Sequence, residues 1–351
     1  MKGWNMELLK KISEAPGISG FEYGIAEIVK KELKEYVDKI EEDKLGNLYA
    51  YKGNGQKTIM ITAHMDEIGL MVKHIDDRGF IRFAKIGGVP DHVLLGQRVQ
   101  VHGKYKRING VIGCKAIHVM KEEERKQLVT YDKMFIDTGS TKEQLEKYGV
   151  KVGSPITIER NLIELENGLI VGRAMDDRAG CYILIEALKR AKPLHKMVAV
   201  FTVQEEVGLR GATVSAYAVK PDIGIAIDTT IAGDHPEIGE SEAPAKLGQG
   251  PVIVAADGRR ESLGGGLLAN PMVMNWIIEL AERLQIKYQL EVLEGGTTDA
   301  AAIQLSREGV PSSCISIPAR YVHTFSEVIS KSDIENAIKL LIGIMENPAP
   351  F

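Results

Sequence analysis

The sequence KTIMITA at residues 57–63, followed directly by His64, decides the fold of this chain. It is a short, nearly continuous apolar run rich in β-branched residues, which is typical of a strand covered on both faces of a sheet. Before it, apolar residues recur at helical spacing among lysines and glutamates over residues 25–36, which predicts an amphipathic helix. A helix that precedes a buried strand indicates an α/β fold.

The same sequence pattern returns in the second half of the chain, after residue 168. The pattern there predicts helices and apolar strands in alternation, and a last helix opened by a capping box at Ser332 and Glu335. The predicted helices cover residues 178–191 and 271–284, and the predicted strands cover residues 197–203, 223–227, 252–255, 289–293 and 313–317.

Residues 68–160 have a different sequence pattern, in which frequent glycines interrupt short runs of β-branched residues. Such a pattern is typical of a small β-barrel or sandwich. We therefore predict an α/β fold with a mixed central sheet flanked by helices, interrupted by an inserted small β-barrel domain. The catalytic domain is predicted to comprise residues 1–67 and 161–351, and the inserted domain, residues 68–160, is expected to serve subunit contact and access to the site.

Composition excludes several classes of protein. The 351 residues carry 44 basic and 48 acidic side chains, a net charge of −4, which is too little positive charge for general nucleic-acid binding. No stretch is apolar enough to span a bilayer, and the cysteines Cys114, Cys181 and Cys314 form no close pair. We expect a cytoplasmic protein without nucleic-acid or membrane partners.

Polar residues that could carry chemistry follow the predicted strands. Because the carboxyl ends of parallel strands meet at one edge of a sheet, these side chains can converge. Two imidazoles and several carboxylates form the ligand set of a hydrolytic metal site, although each residue alone also has an ordinary structural interpretation. The residues are His64, Glu205, Glu206, Asp228 and His323, with Asp176 and Asp177 before a predicted helix.

The same residues carry a resemblance to a known family. Five landmarks, in order and over nearly the whole chain, resemble those of the M42 metallo-aminopeptidases, which are cytosolic enzymes that form tetrahedral dodecamers. The landmarks are HMDEIG at residues 64–69, MDDR at 175–178, EEVGLRGA at 205–212, Asp228, and YVHT at 321–324.

The resemblance implies a zinc-peptidase-like fold and two divalent metal ions, Zn²⁺ or Co²⁺, in each subunit. Asp176 would bridge the two ions. His64 and Asp228 would complete the ligands of one ion, and Glu206 and His323 those of the other.

It further implies that Glu205 is the general base and that Asp66 orients the imidazole of His64. The Asp176–Asp177 peptide bond would be cis. The substrates would be short peptides with a free N-terminus, and the homo-oligomer would be a dodecamer built from dimers.

Three alternatives remain open at this point. A related metal-dependent deacylase or carboxypeptidase would share the metal ligands, and a non-catalytic metal-binding scaffold would lack only turnover. Glu205 and Glu206 could also be a glycosidase pair, but neighbouring side chains on an extended chain point to opposite faces, which suits one ligand and one base better. The segment GGTTDA at residues 295–300 is either a turn that caps a helix or, with Asp299, part of the substrate pocket.

Overall fold

The strands of the described chain form a large mixed sheet and a separate closed barrel. The computed structural model describes residues 5–351, so the start of the predicted catalytic domain, residues 1–4, lies outside the described residues. The strands are β1 (Lys39–Glu42), β2 (Leu48–Lys52), β3 (Thr58–His64), β4 (Gly69–Ile75), β5 (Ile81–Ile86), β6 (Arg98–His102), β7 (Arg107–Gly113), β8 (Phe135–Asp137), β9 (Pro155–Ile158), β10 (Ile163–Glu164), β11 (Leu169–Gly172), β12 (Lys196–Thr202), β13 (Ile223–Ile231), β14 (Val252–Gly258), β15 (Gln289–Glu294), β16 (Ser312–Arg320) and β17 (Glu327–Ser330).

Helices cover the sheet, and short helices also occur in the chain segment that forms the barrel. They are α1 (Met6–Glu14), α2 (Tyr23–Leu33), α3 (Glu122–Arg125), α4 (Lys142–Lys147), α5 (Met175–Arg190), α6 (Arg210–Val219), α7 (Pro271–Arg283), α8 (Asp299–Gln304) and α9 (Lys331–Glu346). Within the described residues, no helix is both long and apolar enough to cross a membrane.

The sheet has parallel strands at its centre and mostly antiparallel pairs toward its edges, where β14–β15 is a parallel pair. Its order is β1-β2-β12-β3-β13-β16-β17-β11-β10, with β14 added to β16 and β15 added to β14. The pairs β12–β3, β3–β13 and β13–β16 are parallel, whereas β1–β2, β2–β12 and β16–β17 are antiparallel. The predicted mixed α/β sheet is confirmed.

Strand β3 is apolar throughout because helices cover both of its faces. Ile59 and Ile61 join the core cluster that contains residues of α1, α2 and α5, while Met60 joins a second cluster with Ala212 of α6 and Ile303 of α8. Each of these three β3 side chains is fully buried, and burying such a side chain contributes about 1.5–3 kcal/mol. The sequence KTIMITA therefore fits a central strand between two helical layers.

The barrel is formed by the chain between β3 and β10, and it has a core of its own. Its strand order is β4-β5-β8-β7-β6-β9, and its interior is filled by aliphatic and aromatic side chains such as Leu70, Phe83 and Ile136. The predicted inserted β-barrel is confirmed. The domain limits at residues 68 and 160, and a role in subunit contact, stay predictions.

Candidate metal centre

The predicted site residues lie at the carboxyl ends of adjacent parallel strands. His64 is the last residue of β3, Asp228 lies near the end of β13, Glu205 and Glu206 follow β12, and His323 follows β16. Because β12, β3, β13 and β16 lie side by side and run in the same direction, these five side chains come together at one edge of the sheet.

The carboxylate of Asp176 lies between the two imidazoles. Its Oδ1 is 3.3 Å from Nε2 of His64, and its Oδ2 is 3.5 Å from Nε2 of His323. The Asp176 side chain is about one-tenth exposed, and Oδ1 has no hydrogen-bond partner within the described residues. Asp176 sits at the irregular start of α5, where its peptide bond to Asp177 is cis. One carboxylate thus links two histidines that are 259 positions apart in the sequence.

The remaining acidic side chains surround this central group. Nε2 of His64 is 3.9 Å from Oδ1 of Asp228 and 4.0 Å from Oε2 of Glu205. On the other side, Nε2 of His323 is 3.4 Å from Oε2 of Glu206. All the residues that were predicted as ligands or as the base are therefore brought together.

Two sets of three donors are close enough to hold an ion each. His64, Asp177 and Asp228 form one set, and Asp176, Glu206 and His323 form the other, with the donor atoms of each set within 4.8 Å of one another. From the sequence, Asp177 is a candidate carboxylate, but the family resemblance does not make it a ligand. Its carboxylate already accepts two backbone N–H groups, from His64 at 3.2 Å and from Gly180 at 3.0 Å.

Asp66 connects the histidine strand to the loop that carries the glutamates. Its carboxylate lies 3.5 Å from Nδ1 of His64 and accepts the backbone N–H groups of Glu205 at 3.0 Å and Glu206 at 3.2 Å. The hydroxyl of Ser19 donates a further hydrogen bond of 2.6 Å. One buried carboxylate therefore fixes the loop that carries both glutamates relative to β3.

Glu327 is a residue that the sequence analysis missed. Its side chain is buried, and it accepts the backbone N–H of Asp176 at 3.1 Å and that of His323 at 3.0 Å. Both N–H groups belong to residues whose side chains flank the centre. Glu327 comes four residues after His323, but nothing in that spacing reveals the contact with Asp176.

Burial and crowding make Glu205, Glu206 and Asp228 weaker acids than usual. Burial is the main cause that raises the pKa of Glu205 and of Asp228 well above the ordinary values, with neighbouring carboxylates adding to the effect. Burial, followed by the charge of Asp176, raises the pKa of Glu206 to about 7. The positive charge that the protein itself places near these carboxylates is too small to keep their pKa values in the ordinary range.

The imidazoles supply part of that charge. Burial opposes protonation of His323, but the carboxylates of Asp176 and Glu206 raise its pKa to about 10. The pKa of His64 is raised in the same way by Asp176 and Asp66. Burial opposes ionisation of Asp176, yet the close approach of the two imidazoles lowers its pKa.

This donor set fits divalent cations. Imidazole nitrogens and carboxylate oxygens are the ligands that Zn²⁺ and similar ions take in hydrolytic sites, and each set leaves positions open. The unpartnered Oδ1 of Asp176 is a buried polar atom that an ion would satisfy. Positive charge at this point would also relieve the repulsion among the acidic side chains.

A cavity of about 640 Å³ opens onto the centre. Asp176, Glu205, Glu206, Asp228 and His323 line its inner end, and the rest of its wall is largely apolar. The segment Gly295 to Thr298 lines the cavity, which agrees with the pocket interpretation of this stretch, whereas Asp299 begins α8 and accepts the hydroxyl of Thr202.

An α/β sheet whose strand ends gather imidazoles and carboxylates beside a cavity is typical of metal-dependent hydrolases. The sequence profile of the family described as M42 glutamyl aminopeptidase matches residues 46–340. The chain belongs to the M42 peptidase family and is a peptide hydrolase.

Individual relatives support the assignment along the full length. Lysyl aminopeptidase from Pyrococcus furiosus is 36% identical over 98% of both chains. The structure of aminopeptidase APDkam598 from Desulfurococcus kamchatkensis is 42% identical, covers 98% of this chain and 95% of its own, and has a TM-score of 0.93. The Pyrococcus horikoshii TET1 peptidase, which assembles into a tetrahedron or a large octahedral shell, is 33% identical over 98% and 99% of the two chains, with a TM-score of 0.88.

Proposed function

We propose that this protein is a dinuclear metal-dependent aminopeptidase that removes N-terminal residues from short peptides. The observation that carries the proposal is the position of Asp176, whose two oxygens face two different imidazoles at 3.3 and 3.5 Å. Divalent ions held by these residues would supply Lewis acidity, which polarises a scissile carbonyl and makes water a stronger acid. Zn²⁺ and Co²⁺ are the proposed ions.

Asp176 is proposed as the ligand shared by both ions. His64 and Asp228 complete the first set, and Glu206 and His323 complete the second. Asp177 lies close enough to join the first set, but its two oxygens already accept backbone N–H groups. Asp176 keeps an oxygen without a hydrogen-bond partner, which favours it as the shared ligand.

Glu205 is proposed as the general base. Its carboxylate lines the cavity beside the centre, 4.0 Å from His64, and burial raises its pKa. A carboxylate with a raised pKa is a stronger base, which favours the transfer of a proton from water to Glu205. Glu205 takes a proton from the attacking water and gives it to the leaving amine.

Asp66 is proposed to orient rather than to react. Its backbone carbonyl oxygen is 3.1 Å and its carboxylate 3.5 Å from Nδ1 of His64, while Nε2 of the same ring faces Asp176, so Asp66 orients the ring toward the centre. The acidic side chains around the cavity end also attract the positively charged α-amino group of a peptide, which supports cleavage at a free N-terminus.

The partners are proposed to be short peptides and further copies of the chain. The shell-forming Pyrococcus horikoshii TET1 peptidase supports a homo-oligomer, and a dodecamer built from dimers is the proposed form. A cytoplasmic location and the absence of nucleic-acid partners stay predictions.

An assay of metal-analysed protein on a panel of aminoacyl anilides tests the function. Hydrolysis that stops on chelation and returns with Zn²⁺ or Co²⁺ is expected. N-acylated peptides and peptides with a free C-terminus are the matched substrates for the two alternatives, a deacylase and a carboxypeptidase. Release of residues from either of those, without cleavage of the anilides, would contradict the proposal.

A further inference from the structure

A buried carboxylate lies behind the cavity wall and takes no part in the metal centre. Glu291 of β15 is 3% exposed, and its Oε2 accepts the hydroxyl of Thr230. Its other oxygen, Oε1, has no hydrogen-bond partner within the described residues. A buried acceptor without a partner costs free energy, so an unsatisfied oxygen of this kind calls for an explanation.

The position of Glu291 places this oxygen next to the cavity. Thr230, to which it is hydrogen-bonded, lines the cavity. Leu293 also lines the cavity, and as the second residue along the same strand it points to the same face as Glu291. The carboxylate is therefore separated from the cavity by a single layer of side chains.

A second buried carboxylate stands behind the neighbouring part of the wall. Asp257 accepts the hydroxyl of Thr297 at 2.8 Å, and Thr297 lines the cavity. Neither Glu291 nor Asp257 forms an ion pair with another described residue. Burial raises the pKa of Glu291 to about 7, and the charge of Asp257 contributes to the increase, which is the effect of negative charge without a nearby cation.

Apolar side chains contribute much of the cavity lining away from the centre. Ile231, Ile238, Leu293 and Val322 line the cavity, and none of the described lining residues is a lysine or an arginine. Such a space suits a side chain with a long aliphatic stem and a cationic tip, since the stem packs on the apolar wall while the tip reaches the carboxylate. An acidic side chain would meet negative charge instead.

Resting on the proposed aminopeptidase function, we propose that Glu291 gives this enzyme a preference for peptides whose N-terminal residue is lysine or arginine. The cationic tip lies against Thr230 and is attracted by the Glu291 carboxylate behind it. Charge attraction across one layer of side chains is effective because the surroundings are buried and poorly screened.

A preference for peptides with an acidic N-terminal residue is the competing outcome. Arg259 and Arg260 line a neighbouring depression of about 560 Å³ that shares Gly295, Gly296 and Thr297 with the cavity. Both arginines are exposed, so solvent screens their charge. A glutamate substrate that reached Arg260 across this shared wall would reverse the expected order of substrates.

The test compares kcat/KM for lysine, norleucine and glutamate anilides on the metal-loaded enzyme. Norleucine has the aliphatic stem of lysine without its charge. The wild type is expected to favour lysine over norleucine by about tenfold or more, as for a hydrogen bond to a charged group. E291Q should lose most of that ratio, while E294Q, which removes an exposed carboxylate from the same strand, should keep it.

Three results would overturn the inference. They are a wild type that cleaves norleucine at least as well as lysine, a ratio unchanged in E291Q, and a glutamate preference that R260Q abolishes. Melting temperatures of the variants confirm that each is folded.

Calorimetric binding of free lysine and norleucine gives a readout that does not need turnover. Tighter binding of lysine in the wild type, with the difference lost in E291Q, supports the role of Glu291. If lysine binds in this way but no anilide is hydrolysed, the proposed function is wrong and the pocket assignment stands. If anilides are hydrolysed without a lysine preference, the pocket assignment alone is wrong.

Discussion

At the scale of single residues, the side chains of the centre were predictable, but two of their supports were not. His64, Glu205 and Asp228 follow or end apolar strands, a position that the sequence pattern reveals. Asp177 and Glu327 act by accepting backbone N–H groups of residues far away in the chain, Glu327 across 151 positions to Asp176. Such contacts depend on the tertiary fold and leave no local pattern in the sequence.

Replacement of Glu205 by glutamine tests its proposed role as the base. The amide keeps the shape of the side chain but cannot accept a proton, so kcat should fall by about 10²- to 10⁴-fold. Metal content, measured by elemental analysis, should not change because Glu205 is not a proposed ligand. Activity close to that of the wild type would remove Glu205 from the mechanism.

Replacement of Glu327 by glutamine tests its support of Asp176 and His323. Glutamine has only one acceptor oxygen, so one of the two backbone N–H groups would face an amide donor. We expect metal affinity, measured by competition with a chelator, to weaken about 10- to 100-fold. E335Q changes an exposed glutamate on α9 and should bind metal like the wild type; equal affinity in E327Q would contradict the supporting role.

At the scale of elements, the strands were predicted well and the helix starts less well. Helix α5 begins at Met175 rather than near Arg178, because the irregular Asp176–Asp177 turn is continuous with it. The predicted capping box at Ser332 and Glu335 is wrong. Helix α9 starts at Lys331, directly after β17, so Ser332 already lies in its first turn and cannot cap it. Termini depend on the connection to the preceding element, which periodicity does not reveal.

The loop between β12 and α6 holds the two glutamates, and Gly211 in the first turn of α6 allows close packing against it. A Cβ at Gly211 would lie 2.4 Å from Oδ1 of Asn47 and 2.5 Å from the carbonyl oxygen of Val203. G211A should therefore destabilise the protein by about 1–3 kcal/mol in urea unfolding and displace the loop, lowering activity as well. At the exposed Gly264 a Cβ meets only the hydroxyl of Ser262, at 3.3 Å, so G264A is the matched control. Equal stability of the two variants would refute this packing argument.

At the scale of the whole molecule, the fold places two histidines at one sheet edge while a barrel interrupts the chain between them. The change of sequence pattern near residues 68 and 160 was enough to predict the insertion. The pattern could not indicate how the barrel packs against the sheet, because that depends on shape complementarity rather than on periodicity.

The metal-free protein should lose stability as pH rises from about 5 to 8. A carboxyl group with a higher pKa in the folded state holds an extra proton between the two pKa values, so stability falls as pH rises through that interval. Glu206 and Glu22, each raised from 4.5 to about 7, and Asp299, raised from 3.8 to about 6, act in this direction. His323, raised from 6.5 to about 10, acts in the same direction above about pH 6.5.

Reloading with Zn²⁺ should offset this loss. Metal ligands must be deprotonated, so binding strengthens with pH and the difference in melting temperature between loaded and metal-free protein should widen. Thermal melts of both forms across the same pH range check the prediction. A difference that stays constant or narrows would contradict it.

The most direct test of the central claim is a crystal structure of the Zn²⁺-loaded protein with anomalous data collected on both sides of the zinc edge. We predict two zinc peaks in each subunit, both within bonding distance of the Asp176 carboxylate, one beside His64 and the other beside His323. A single peak, or two peaks of which one does not contact Asp176, would contradict the dinuclear centre.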